Sequence, residues 1–178
     1  MLARDDKSTA CVRDIVASIV RDAWAKAQDW TVAWKTGKTQ LKSVVESLIN
    51  LPEDEQVEPL VHESALQLHT CITKMQACVS ILNELLENLI KVEKLQTGKK
   101  CNQPLFSTLT LHQMACVLES VCEDYRKETE IKAGLCTVLP HSHNVDTLNT
   151  ALTLWTHHVH LVTHQFPLKS LLRETQQL

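Results

Sequence analysis

The sequence predicts an all-helical fold, and three observations carry that prediction. Its 178 residues include only three glycines and five prolines, too few for the positive φ angles and fixed turns of a β-rich or loop-rich protein. Val61, Ala65, Leu68, Ile72, Met75, Val79, Leu82, Leu86 and Leu89 follow an unbroken 4-3 spacing, the period of helices that supercoil on a partner helix. Aromatic residues make up 4% of the chain against an apolar total of 44%, which suits Leu, Val and Ile seams between helices better than a wide interior. The expected architecture is an elongated helical hairpin or coiled-coil bundle of about four helices with a short C-terminal amphipathic helix. Its length fits a single helical domain over 1–178.

Helix 1 is predicted over 9–50, as one long helix or two collinear ones meeting near Gly37, with a seam through Val20, Trp24, Ala27, Thr31, Trp34, Lys38, Leu41, Val45 and Leu48. An acidic stretch over 51–59, broken by Pro52 and Pro59, is the clearest turn. Helix 2, over 59–97, carries the heptad seam and is expected to reach roughly 55 Å at about 1.5 Å per residue. Helix 1 is its natural antiparallel partner, and a parallel homodimer satisfies the same seam. Gly98 reads as the stop of helix 2, followed by a loop through Pro104, Leu105 and Phe106.

Helix 3 is predicted over 108–139, capped by Ser107 or Thr108, with Leu111, Ala115, Leu118, Val121, Cys122, Tyr125, Ile131, Leu135 and Val138 on its apolar face and the charged run at 123–132 largely on the other. Helix 4, over 144–164, starts at Asn144 or Asp146, buries Leu148, Ala151, Leu152, Trp155, Val159 and Val162, and ends at Pro167. An amphipathic tail over 168–175 is left to dock back or to meet a partner.

A net charge of −3 and scattered lysines remove the electrostatic reason to expect nucleic-acid binding. No apolar run approaches the roughly 20 residues that span a bilayer, and residues 1–12 carry charges where a signal peptide needs its apolar stretch. The chain is therefore expected to be cytosolic or nuclear. Its seven cysteines read as reduced and mostly buried.

Candidate chemistry is sparse. His157, His160 and His164 would share one face of helix 4 as zinc ligands do, but no HExxH, CxxC or paired Cys-His spacing completes a site. Cys101 is the only cysteine predicted in a loop and has Lys99 and Lys100 beside it, an arrangement that favours a thiolate. Three dispersed glycines cannot form a phosphate loop. Trp24, Trp30 and Trp34 are either core fillers or interface anchors. Leu105 and Phe106 are either a staple onto the bundle or an exposed recognition hook.

A set of short motifs in a fixed order points to a family. Val20-Arg-Asp22, Trp34-Lys-Thr36, Lys91-Val-Glu-Lys-Leu95, Pro104-Leu-Phe106, Tyr125-Arg-Lys-Glu128, Trp155 and Leu171-Leu-Arg-Glu-Thr175 together resemble the cyclin-dependent kinase 2-interacting protein family over nearly the whole chain. The chain departs from the family at Ala27, where a second tryptophan is usual, and in its histidines between 157 and 164. The resemblance implies a helical scaffold without catalytic residues or cofactor. It implies a place in a complex with AAA-type ATPases and their associated ribosome-maturation subunit, acting in large-subunit maturation and in clearing proteins from chromatin. It also implies links to cyclin-dependent and replication kinases and to checkpoint proteins.

The expected function is thus a non-enzymatic adaptor, with no direct nucleic-acid or membrane contact. Its candidate partner-binding residues are Trp30, Trp34, Leu105, Phe106, Tyr125, Trp155, Leu171 and Leu172. The alternative is a metal- or thiol-dependent enzyme or sensor using the C-terminal histidines or Cys101.

Overall fold

A computed structural model describes residues 2–50, 57–96, 103–141, 144–161 and 165–176. Every regular element among them is helical: α1 (Leu2–Ile49), α2 (Val57–Leu95), α3 (Leu111–Val138), a single 3₁₀ turn (Leu139–His141), α4 (Val145–Thr156) and α5 (Gln165–Gln176). No helix is long and apolar enough to cross a membrane among these residues. The turn at 51–56, Gly98, Cys101 and His164 lie outside the described residues.

The chain divides into two compact units. The first comprises Met1–Ala27, Val79–Asp124 and Thr163–Leu178. Its core draws on Val16 and Val20 of α1, Leu82 and Leu89 of α2, Met114 and Leu118 of α3, and Leu168 and Leu171 of α5. Helix α3 starts at Leu111 rather than at 108. Its cap is a box closed by Thr110 and Gln113: the Thr110 N–H donates to Gln113 Oε1 at 2.9 Å, and the Gln113 N–H donates to Thr110 Oγ1 at 3.2 Å. Ser107 and Thr108, expected to cap α3, instead turn their N–H groups onto Glu174 of α5. The Leu109 N–H joins them at 3.0 Å, and the Thr108 hydroxyl reaches the other carboxylate oxygen at 3.0 Å. Arg13 Nε of α1 holds the same loop by donating to the Leu105 carbonyl at 2.6 Å.

The second unit comprises Gln28–Cys78 and Tyr125–Val162. It packs Trp30, Leu41 and Val45 of α1, Leu68 and Met75 of α2, Tyr125 of α3, and Leu148 and Trp155 of α4. Asn144 caps α4, its side chain accepting from the Asp146 N–H at 2.8 Å, as the sequence indicates.

Seven of the nine heptad positions of α2 are buried; Ala65 and Leu86 are half-buried. Helix α1 is continuous through Gly37. Its buried line passes through Ala23, Ala27, Trp30, Ala33, Gly37 and Leu41, leaving the predicted seam positions Trp24, Thr31, Trp34 and Lys38 half-buried. A straight helix drifts off a strict 4-3 grid, and here the drift selects the small residues against which larger ones pack.

Three further expectations are corrected. Pro167 does not end helix 4 but lies in the first turn of α5, where the missing N–H costs nothing; Pro59 sits in the first turn of α2, where helix 2 is expected to start. Helix α4 stops at Thr156 instead of 164, and Val159, assigned to its buried face, is 62% exposed. Val138, placed on the apolar face of α3, is 56% exposed, while Glu128 and Lys132, placed on its polar face, are completely buried.

Candidate functional site

The main polar cluster of the second unit grows from two residues one turn apart on α3. Tyr125, Glu128 and Lys132 are spaced i, i+3 and i+7, so they share a face and point the same way into the core. Glu128 Oε1 and Lys132 Nζ pair at 2.8 Å with neither side chain exposed. Burying two charges is tolerable only when their remaining hydrogen-bond capacity is also used, and here α4 and the chain after it use it.

Lys132 Nζ donates to the carbonyls of Leu154 at 2.6 Å and His157 at 2.7 Å, oxygens that the end of α4 leaves without helical partners. Glu128 Oε2 accepts the N–H groups of Val159 and His160, each at 2.9 Å, and Oε1 lies 3.4 Å from His158 Nδ1. The pair therefore ends α4: the ammonium caps its carbonyls and the carboxylate takes the next amides. Burial pushes the Glu128 carboxyl up, but bonds from His158, the His160 N–H and Lys132, with the Lys132 charge, outweigh it and hold it at about 2. Burial pushes Lys132 down, opposed by Glu128.

Aromatic rings pack against His158, which lies beside Glu128. The His158 ring lies 4.4 Å from that of Trp34 and 5.8 Å from that of Trp30, centroid to centroid. Trp30 meets Tyr125 edge-on at 5.2 Å, and its Nε1 donates to Thr129 Oγ1 at 2.8 Å. Burial raises the Tyr125 phenol to about 12, against a hydrogen bond with Thr31.

A buried lysine whose ammonium is disfavoured has the profile of an amine nucleophile. Lys132, however, has three N–H donors, and they go to Glu128, Leu154 and His157. The cluster is a satisfied structural network, and its chemistry is that of a clamp.

Four of the predicted partner-binding residues converge here: Trp30, Tyr125 and Trp155 are buried, and Trp34 is half-buried. The other four lie in the first unit, where Leu105 and Leu171 are buried and Phe106 and Leu172 half-buried. The tail over 168–175 is part of that unit's core, since Leu168, Leu171, Glu174 and Thr175 are all buried. The expected histidine face does not form, because His157 caps α4 and His160 follows it. Among the described residues no group of three His, Cys, Asp or Glu side chains is placed to hold a metal ion.

Sequence reasoning missed Glu128, Lys132 and Glu174. The available signal was position: Val121, Tyr125, Glu128 and Lys132 continue one face at four- and three-residue steps, as do Leu168, Leu171 and Glu174 at three.

No protein-family model matches this chain, and no curated protein matches it.

Proposed function

We propose that this chain is a non-enzymatic helical adaptor of the cyclin-dependent kinase 2-interacting protein family, with its α2 heptad seam packed as a coiled coil. It serves in a complex with AAA-type ATPases and their ribosome-maturation subunit, acts in large-subunit maturation and chromatin proteostasis, and connects to cyclin-dependent and replication kinases and checkpoint proteins in nucleus and cytoplasm.

One observation carries the reading: five of the seven motifs behind the resemblance supply residues that close the chain on itself. Trp34 bonds to Trp155, Tyr125 and Glu128 belong to the buried cluster, and Glu174 of the last motif clasps the loop that follows Pro104-Leu-Phe106. Motifs spent on tertiary closure mark a shared scaffold rather than a shared reaction. Partner contact then falls to exposed side chains, with Trp34, Phe106 and Leu172 the predicted contact residues that retain some exposure.

The test is affinity purification of the tagged chain from native extract, with and without ATP, read by mass spectrometry and sizing. Recovery of AAA-type ATPases in a large, nucleotide-sensitive assembly is the expected result. Recovery of the chain alone refutes the adaptor reading.

A further inference from the structure

The first unit carries a second constellation, independent of the adaptor reading. On the solvent face of α3, His112 and Cys116 stand one turn apart, with Cys116 Sγ 3.6 Å from His112 Nε2. The other ring nitrogen, His112 Nδ1, lies 2.8 Å from Glu93 Oε1 near the end of α2. In a neutral imidazole whose Nδ1–H donates to Glu93, Nε2 is the acceptor that faces the thiol. Thiol, imidazole and carboxylate thus form a line of nucleophile, base and orienting group.

The other described cysteines differ. Cys71, Cys122 and Cys136 have thiols pushed up by burial, Cys122 to about 12 and Cys136 to about 11, which keeps them protonated and inert; Cys78 is buried as well. Cys11 is exposed, as Cys116 is.

His112 and Glu93 also border an open cavity of about 520 Å³. Lys94, Gln96, Thr110, Leu111 and Gln113 line it as well, with Cys116 one helical turn beyond His112; the ammonium, amides and hydroxyl suit the carboxylates and amides of a small peptide-like molecule.

We propose that Cys116 is an activated thiol that takes up low-molecular-weight, carboxylate-bearing disulfides by thiol–disulfide exchange, with His112 as its proton acceptor and Glu93 as the residue that positions His112. The Cys116 proton passes to His112 Nε2 as the sulfur attacks one sulfur of the small disulfide. The small disulfide's S–S bond breaks, a new S–S bond forms to Cys116, and the departing thiolate takes the proton from His112. No net oxidant is needed, and a second small thiol reverses the step.

The full folded chain is incubated with glutathione disulfide, and the mixed disulfides at Cys116 and Cys11 are followed by peptide mass spectrometry across neutral pH. Cys116 reacts at least about tenfold faster than Cys11, a modest share of what an enclosed base contributes. His112→Gln brings Cys116 to the Cys11 rate and makes the two pH profiles superimpose, and Glu93→Gln slows Cys116 and changes its profile. All three positions are at the surface, and unchanged helicity by circular dichroism confirms that each variant is folded. Equal rates at Cys116 and Cys11 in the unmodified sequence, or an unchanged Cys116 rate in His112→Gln, overturn the proposal. A Glu93→Gln chain that reacts like the parent overturns the role given to Glu93.

Discussion

Trp34 and Trp155 exchange hydrogen bonds: the indole N–H of each donates to the backbone carbonyl of the other, at 2.8 and 3.0 Å. The exchange brings the Trp155 ring onto the backbone of α1, and Gly37 is what admits it. A Cβ at position 37 would lie 2.9 Å from Trp155 Cε2, with other ring atoms also in its way. Gly37 therefore serves close approach rather than a hinge, and the helix runs through it.

This reverses an ordinary expectation. Glycine inside a helix costs roughly 0.5–1 kcal/mol relative to alanine, so Gly→Ala normally stabilises. Gly37→Ala is expected to destabilise by about 1–3 kcal/mol, because a rigid, buried indole must move. Gly134→Ala, where nothing lies within 4 Å of the added carbon, is expected to stabilise by about 0.5–1 kcal/mol. Urea unfolding of both variants measures the signs; two shifts in the same direction would contradict this account of Gly37.

Glu174 gathers three backbone N–H groups of the 107–109 loop onto one oxygen. Glu174→Ala leaves those partly buried donors unpaired and is expected to cost about 2–3 kcal/mol. Phe166→Ala on the same helix, at a position 72% exposed, is expected to change stability by no more than about 0.5 kcal/mol. Thermal melts of the two variants separate them, and an unchanged melting temperature for Glu174→Ala would mean that α5 does not belong to the core of its unit.

Glu128 and Glu174 give stability a pH dependence whose sign is fixed. Burial raises both, but hydrogen bonds and, for Glu128, the Lys132 charge outweigh it, so each ionises more readily folded than unfolded. The unfolded chain then binds more protons, and stability falls as pH drops. The loss begins near the ordinary value of 4.5 and, for Glu128, runs down to about 2. Urea midpoints measured from pH 6 downward are expected to be flatter in Glu128→Gln and Glu174→Gln; a slope identical to the parent's would refute the assignment.

Leu82 is fully buried on the heptad seam, whereas Leu66, on the same helix, is 65% exposed. Leu82→Asp places a charge where no water reaches and is expected to unfold the protein, by several kcal/mol. Leu66→Asp is expected to stay within about 0.5 kcal/mol of the parent. Circular dichroism distinguishes the two directly.

The helices were legible because their signals are local. Asn144 announces the start of α4, and the 4-3 spacing from Val61 to Leu89 marks the buried face of α2. The end of α4 was not legible, because what stops it is Glu128 and Lys132, more than twenty residues earlier in the chain. For the same reason His157, His160 and His164 read as one helical face, when His157 caps α4 and the amide of His160, beyond the helix end, donates to Glu128. Charge along 123–132 reads as a solvated face, but the i, i+4 spacing that places Glu128 and Lys132 on the Tyr125 face also lets them neutralise each other in the interior. Trp30, Trp34, Tyr125 and Trp155 stand out in the sequence as core fillers or interface anchors, and only the contacts place Trp30, Tyr125 and Trp155 inside and leave Trp34 half-buried.

The buried Glu128–Lys132 pair acts as one structural unit, and a double-mutant cycle tests this most directly. Glu128→Gln and Lys132→Met are each expected to cost about 3–5 kcal/mol, since each leaves a buried charge or helix-end carbonyls unpaired. The double variant is expected to fall short of their sum by about 1–3 kcal/mol. Additive losses, or single losses under about 0.5 kcal/mol, would contradict the account and return both residues to the solvated face that their charge implies.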